Sequence, residues 1–107
     1  MLGAERYERD QKMKEEKKLE KELAKRVDGA GGWCIKLLST YIKGLPDRMC
    51  LMPKGRIAFA EIKTKGRKPK PMQSYVHKRL KGLGFQCEVI DDLETLNTFC
   101  DGLSIRY

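Results

Sequence analysis

No stretch of this 107-residue sequence approaches the roughly 18 consecutive apolar residues of a transmembrane helix, so no membrane span is expected. Residues 1–18 lack the apolar centre of a secretory signal, and the sequence predicts a chain that stays in the cytoplasm. Aromatic residues are scarce, at 7% with a single tryptophan. That is thin material for a platform that stacks the bases of a single strand. There is one histidine, and the four cysteines (Cys34, Cys50, Cys87, Cys100) form no CxxC pair. Zinc sites draw on close ligand pairs, so a zinc site is not expected. Three of the cysteines sit in apolar, strand-like runs, which reads as buried free thiols in a reducing compartment. No internal repeat is present.

Acidic residues are the scarcer charge, 15 against 23 basic, for a net charge of +8. The sign favours a polyanionic partner, with nucleic acid the first candidate. The length fits one domain. A chain of this size buries only about 60–65% of its unfolded surface, so oligomerisation would help it.

Residues 5–26 hold sixteen charges, nine basic and seven acidic, with no Gly or Pro. This composition favours a helix, with Glu22 and Arg26 among several opposite charges four apart. Its first residues, before Gln11, are expected to be solvated and prone to fray. Glu16 and Glu20 are like charges at that spacing, unfavourable unless a cation sits nearby. Leu19, Leu23, Val27 and Ala30 recur at helical spacing as the buried stripe, and the glycines at 29, 31 and 32 end the helix. Strands are expected over residues 33–38, 47–52, 56–63 and 85–90. The second and third form a hairpin about Pro53-Lys54-Gly55. A second helix is expected over residues 72–83, with Val76, Leu80 and Leu83 inward. Asp91 or Asp92 caps a last helix through Cys100, with Leu93, Leu96, Phe99 and Cys100 inward. The order is α-β-β-β-α-β-α, an α/β domain.

The chemistry lies mid-chain. Asp47 opens one strand of the hairpin, and Glu61 lies in the other, two residues before Lys63. Neighbouring carboxylates repel unless a cation bridges them, and oxygen ligands suit Mg²⁺ or Mn²⁺. Lys63 shares the parity of Glu61, so both point to one face. Two metal-binding acids with a lysine form a reasonable set for phosphodiester hydrolysis.

Pro46-Asp47 followed by Glu61-Ile62-Lys63 resembles the PD-(D/E)xK nuclease superfamily. The surrounding residues sharpen the likeness: Gly31-Gly32, Lys36, Lys43-Gly44-Leu45-Pro46-Asp47-Arg48, Pro53-Lys54-Gly55-Arg56, Pro69-Lys70-Pro71-Met72-Gln73 and Gly84-Phe85. Together they resemble the virus-type replication-repair nuclease (VRR-NUC) family, in particular its small stand-alone phage and bacterial members. The resemblance implies a restriction-endonuclease-like core with a mixed central sheet over residues 15–107, preceded by a charged helical extension over residues 1–14. It implies that Asp47, Glu61 and the backbone carbonyl of Ile62 hold Mg²⁺ or Mn²⁺, that Lys63 is the catalytic lysine, and that Gln73 stands near the active site. It also implies a first-helix glutamate at the metal. Glu16 is the best match, roughly 20° from the centre of the Leu19/Leu23/Val27 face, with Glu20 roughly 60° and Glu22 roughly 100° off. The implied activity is metal-dependent, structure-specific endonuclease cleavage of DNA, with a homodimer resolving four-way (Holliday) junctions in the cytoplasm of a phage-infected or bacterial cell. A flap or nicking nuclease and a non-catalytic DNA-binding module are the alternatives.

Charge supplies the expected DNA contacts: Lys65, Arg67, Lys68 and Lys70 on the loop after Lys63, with Lys36, Lys43 and Arg48 around Asp47. Lys78, Arg79 and Lys81 give the second helix a basic side. Trp33 is expected as a core or interface anchor, and His77 as a surface histidine of that helix.

Overall fold

The structure, a computed structural model, describes residues 2–38 and 41–107. Two residues of the loop expected before Asp47, Ser39 and Thr40, and Met1 of the charged extension lie outside the described residues. Helix α1 spans Leu2–Gly29, followed by strands β1 (Trp33–Lys36), β2 (Arg48–Met52) and β3 (Arg56–Ile62). Helix α2 (Pro71–Gly82), strand β4 (Gln86–Ile90) and helix α3 (Leu93–Gly102) complete the chain. The element order is the expected one, and the strand limits are one or two residues tighter.

The sheet order is β1-β2-β3-β4. The first three strands run antiparallel, and β4 pairs parallel to β3 with Glu61 opposite Val89. Two parallel neighbours need a crossover, and α2 is that crossover. The sheet is mixed, with helices on both faces. Leu23 and Val27 of α1 and Leu96, Phe99 and Cys100 of α3 are fully buried against Cys50, Ala58, Ala60, Ile62 and Ile90. Alternation along β3 sends Glu61 and Lys63 to the other face, which α2 covers with Val76 and His77.

Helix α1 ends where its stripe stops. Gly31 takes a positive φ of 83°, and a Cβ on Gly32 would stand 2.6 Å from the Leu51 carbonyl oxygen. Only glycine passes at that distance, so the helix can turn directly into β1. At its other end α1 is already helical at Leu2, and the side chains of residues 3–10 are all exposed. Lysine 54 takes a left-handed φ of 67° in the tight turn between β2 and β3. Asp92 caps α3: its side chain accepts the Thr95 amide at 2.8 Å, and the Thr95 hydroxyl oxygen accepts the Asp92 amide at 3.1 Å.

Three inward expectations and one outward one are corrected. Leu83 follows the end of α2 and Leu93 opens α3, so neither belongs to the buried turns, and both are exposed. Trp33, on the edge strand β1, is 67% exposed and is no core anchor. His77 is no surface histidine; it is 7% exposed. The four cysteines are free thiols, buried except for half-buried Cys34, which faces Cys50 across the β1–β2 pair. No helix among the described residues is long and apolar enough to cross a membrane.

Candidate active site

Asp47 sits just ahead of β2, where its carbonyl accepts the Leu37 amide at 2.8 Å and closes the β1–β2 ladder. Its side chain reaches across to β3: Asp47 Oδ1 accepts the backbone amide of Ile62 at 3.2 Å. This one bond fixes the first acid of the site to the residue beside the second. The loop approaching Asp47 is held against α2, since a Cβ on Gly44, at φ 89°, would stand 2.5 Å from the Met72 carbonyl oxygen.

Glu61 is 5% exposed. Its Oε2 lies 3.7 Å from Lys63 Nζ, while its Oε1 is buried with no hydrogen-bond partner among the described residues. Burial foremost, and then the charge of Asp47, push the Glu61 carboxyl up to about 7, against the opposing pull of Lys63. Burial likewise raises Asp47, opposed by the Ile62 amide and Arg48. The fold thus holds two mutually repelling, poorly solvated carboxylates, one with a lone pair aimed at nothing. A divalent cation with oxygen preference fits that donor set. No three His, Cys, Asp or Glu side chains among the described residues gather closely enough to hold an ion unaided. An ion held by the Asp47 and Glu61 carboxylates would need further oxygen ligands and water to complete its shell, as Mg²⁺, which retains several waters, permits.

The helix glutamates are each engaged. Glu16 Oε1 accepts the Thr64 hydroxyl at 2.5 Å, one residue beyond Lys63. Glu20 Oε1 pairs with Arg48 Nη2 at 3.1 Å, and Glu20 is the helix acid whose charge raises Asp47. Arg48 is the cation that makes the glutamate pair tolerable. It is 6% exposed, and its Nη1 also donates to the Asp47 carbonyl at 3.0 Å. The expectation of Arg48 as a DNA contact is corrected accordingly: its guanidinium is enclosed between α1 and β2.

Gln73 is engaged at the start of α2, where its Oε1 accepts the Lys70 amide at 2.9 Å. Lys36 lies on β1 opposite Arg48 and close enough to Asp47 to oppose its rise. Lys36, Lys43, Arg67, Lys68 and Lys70 are exposed. Lys65 is exposed too, but bonds Asp92, which holds the Asp92 carboxyl down at about 2. The sequence reading missed the buried roles of Arg48 and His77. Helical spacing carried a signal for the second, because Gln73, Val76, His77 and Leu80 share one stripe.

An α/β core that presents Asp47 and the Glu61-Ile62-Lys63 strand on one sheet face defines a nuclease of the PD-(D/E)xK type. The comparisons narrow the class. No family model matches the chain. Over 76 residues it is 42% identical to "Putative nuclease p44" of Acyrthosiphon pisum secondary endosymbiont phage 1, covering 71% of this chain and 82% of that protein. A solved structure described as a VRR_NUC domain superposes with a TM-score of 0.74 at 27% identity, over 81% of this chain and 95% of that one. The chain belongs to the VRR-NUC nuclease family.

Proposed function

We propose that this nuclease is a Mg²⁺- or Mn²⁺-dependent, structure-specific DNA endonuclease acting as a homodimer, with four-way junctions as its substrate. The observation that carries the metal dependence is the buried, unpartnered Oε1 of Glu61 beside Asp47. An ion held by Asp47, Glu61 and the Ile62 carbonyl would polarise the scissile phosphate and activate the attacking water. Lys63, drawn to Glu61, stands ready to offset negative charge gathering on the phosphate. Arg48 donates to the Asp47 carbonyl, stands 3.9 Å from Asp47 Oδ1 and pairs with Glu20, so the acid is held in orientation. Either helix glutamate can reach an ion indirectly. Glu20 is supported by its charge at Asp47, and Glu16 by its bond to Thr64 beside Lys63.

The exposed cations of the loop after Lys63 suit the phosphates flanking a cut. A symmetry argument and one observation support the dimer. One core carries one site, whereas a two-fold pair places two sites on a symmetric junction. Edge strand β1 also leaves Trp33 exposed, with Leu38 exposed just beyond it. The test is a cleavage panel of duplex, flap, splayed-arm and four-way junction DNA with mapped cut sites. Paired, symmetric cuts on the junction are expected. Preference for flaps would give the flap-nuclease reading, and binding without cleavage under either metal would give the binding-module reading.

A further inference from the structure

On the α2 face of the sheet lies a pocket of about 290 Å³ between α2 and β4, lined by Pro69, Ser74, His77, Lys78, Lys81 and Val89. Ser74, His77, Lys78 and Lys81 follow at intervals of three, one and three residues, which places them along one side of α2. His77 is more than nine-tenths buried, and its Nε2 is buried without a hydrogen-bond partner among the described residues. A buried polar atom left unpaired costs about 1–3 kcal/mol, so such an atom beside a pocket points to a ligand. The chemistry of that ligand follows from the lining. Two ammonium groups, a hydroxyl and an imidazole surround the space, and no carboxylate lines it. Lys63, just past the end of β3 and paired with Glu61, also bears on the ring, since burial first, and then Lys81 and Lys63, hold the His77 imidazole below its usual range. Cys87, on β4, is pushed up to about 11 by burial and so brings no negative charge. Glu88 alternates to the opposite face. The lining itself collects donors and positive charge without a carboxylate, and the acid nearest to it on this face, Glu61 opposite Val89, is already paired with Lys63.

We propose that this pocket is a phosphate subsite, holding a backbone phosphodiester of the same nucleic-acid strand that is engaged at Asp47 and Glu61, with His77 Nε2–H, the Ser74 hydroxyl, Lys78 and Lys81 as its donors. The proposal rests on the nuclease reading and adds a second grip on the strand. A free phosphate ion presents the same chemistry, so the test separates the two.

His77 is the sole histidine of the sequence, so its ring protons give a single, unambiguous set of NMR resonances. The full chain, with a chelator present to prevent cleavage, is titrated over pH 4.5 to 8 alone, with inorganic phosphate, and with a short DNA duplex, at constant ionic strength. Alone, the imidazole should titrate below its usual 6.5. With the duplex the midpoint should rise, because a phosphate beside the ring favours the imidazolium. Lys78→Ala and Lys81→Ala should each lower the slope of log affinity against log salt by about 0.9. His77→Gln, which keeps a side-chain amide donor, should retain more duplex affinity than His77→Leu. A duplex that binds by anisotropy and is cut when Mn²⁺ is added, yet leaves the His77 midpoint unmoved, overturns the subsite while the nuclease reading stands. A midpoint moved by inorganic phosphate but not by the duplex overturns the assignment to a DNA strand. Failure of the chain to bind or cut any DNA removes the nuclease reading and the subsite with it.

Discussion

Glu61 is stable in the fold chiefly as an uncharged acid. Its carboxyl titrates near 7 in the folded chain, against a usual 4.5. Between those values the folded chain keeps a proton that the unfolded chain has released. The stability that this group contributes is therefore fully present below pH 4.5 and is lost as pH rises through 7. Calorimetry of the metal-free protein should show a lower Tm at pH 8 than at pH 5, and Glu61→Gln should flatten that difference by raising Tm at pH 8. Added Mn²⁺ should raise the wild-type Tm more at pH 8 than at pH 5, since binding requires the ionised carboxylate. Lys63→Ala should lower cleavage by about 100-fold or more while leaving duplex affinity within a few-fold, if its part is played on the developing charge. The motif residues were legible from the sequence, since Asp47 and Glu61-Ile62-Lys63 follow one another with strand parity. The enclosure of Arg48 was not, because it is created by Glu20, a partner 28 positions earlier on another element. The helix-starting bond of Gln73 follows a general pattern, since a side-chain acceptor three residues into a helix is a common partner for the cap amide.

Among the elements, α1 and the loop before β2 position the acids. Arg48 joins them: 7% exposed at its side chain, it pairs with Glu20 and donates to the Asp47 carbonyl. Arg48→Ala leaves Glu20 without its cation and opens a hole under β2, and should destabilise the fold by about 2–3 kcal/mol in urea unfolding. Glu20→Gln, at a half-exposed position, should cost less. Gly44→Ala introduces a Cβ that would stand 2.5 Å from the Met72 carbonyl oxygen at a φ of 89°. It should displace the loop from α2 and lower cleavage through Asp47 more than it lowers Tm, a comparison that thermal denaturation and initial rates make together. The order of elements was legible because glycines, prolines and a period of two or 3.6 punctuate them. Where the ends fall against neighbours was not. Leu83 and Leu93 fit the helical period, yet each stands at a helix terminus where no neighbouring element covers it.

Over the whole molecule, charge and edges matter most. The +8 charge is not concentrated on α1, whose charged residues 5–26 nearly balance. It lies in part on the exposed lysines and arginine after Lys63 and on the pocket side of α2. Under the proposed dimer, edge strand β1 with its exposed Trp33 would be the surface for a second copy. Sedimentation should give a dimer for the wild-type chain and a shift toward monomer for Trp33→Glu, with monomers cutting junctions singly rather than in pairs. The charged extension is part of α1 from Leu2 on, and its side chains from residue 3 to 10 are exposed. Its removal should leave Tm nearly unchanged. The composition already indicated a polyanionic partner. The exposure of Trp33 was beyond its reach, because a tryptophan at the start of a strand reads the same whether the strand is central or at an edge.

The most direct measurement is the rate of DNA cleavage by the wild-type chain and by Asp47→Asn across a titration of Mn²⁺ from none to millimolar. Saturable, metal-dependent cleavage by the wild type, abolished in Asp47→Asn while DNA binding persists, is the predicted result. Cleavage of equal rate in a chelator, or an Asp47→Asn chain as active as the wild type, would contradict the account.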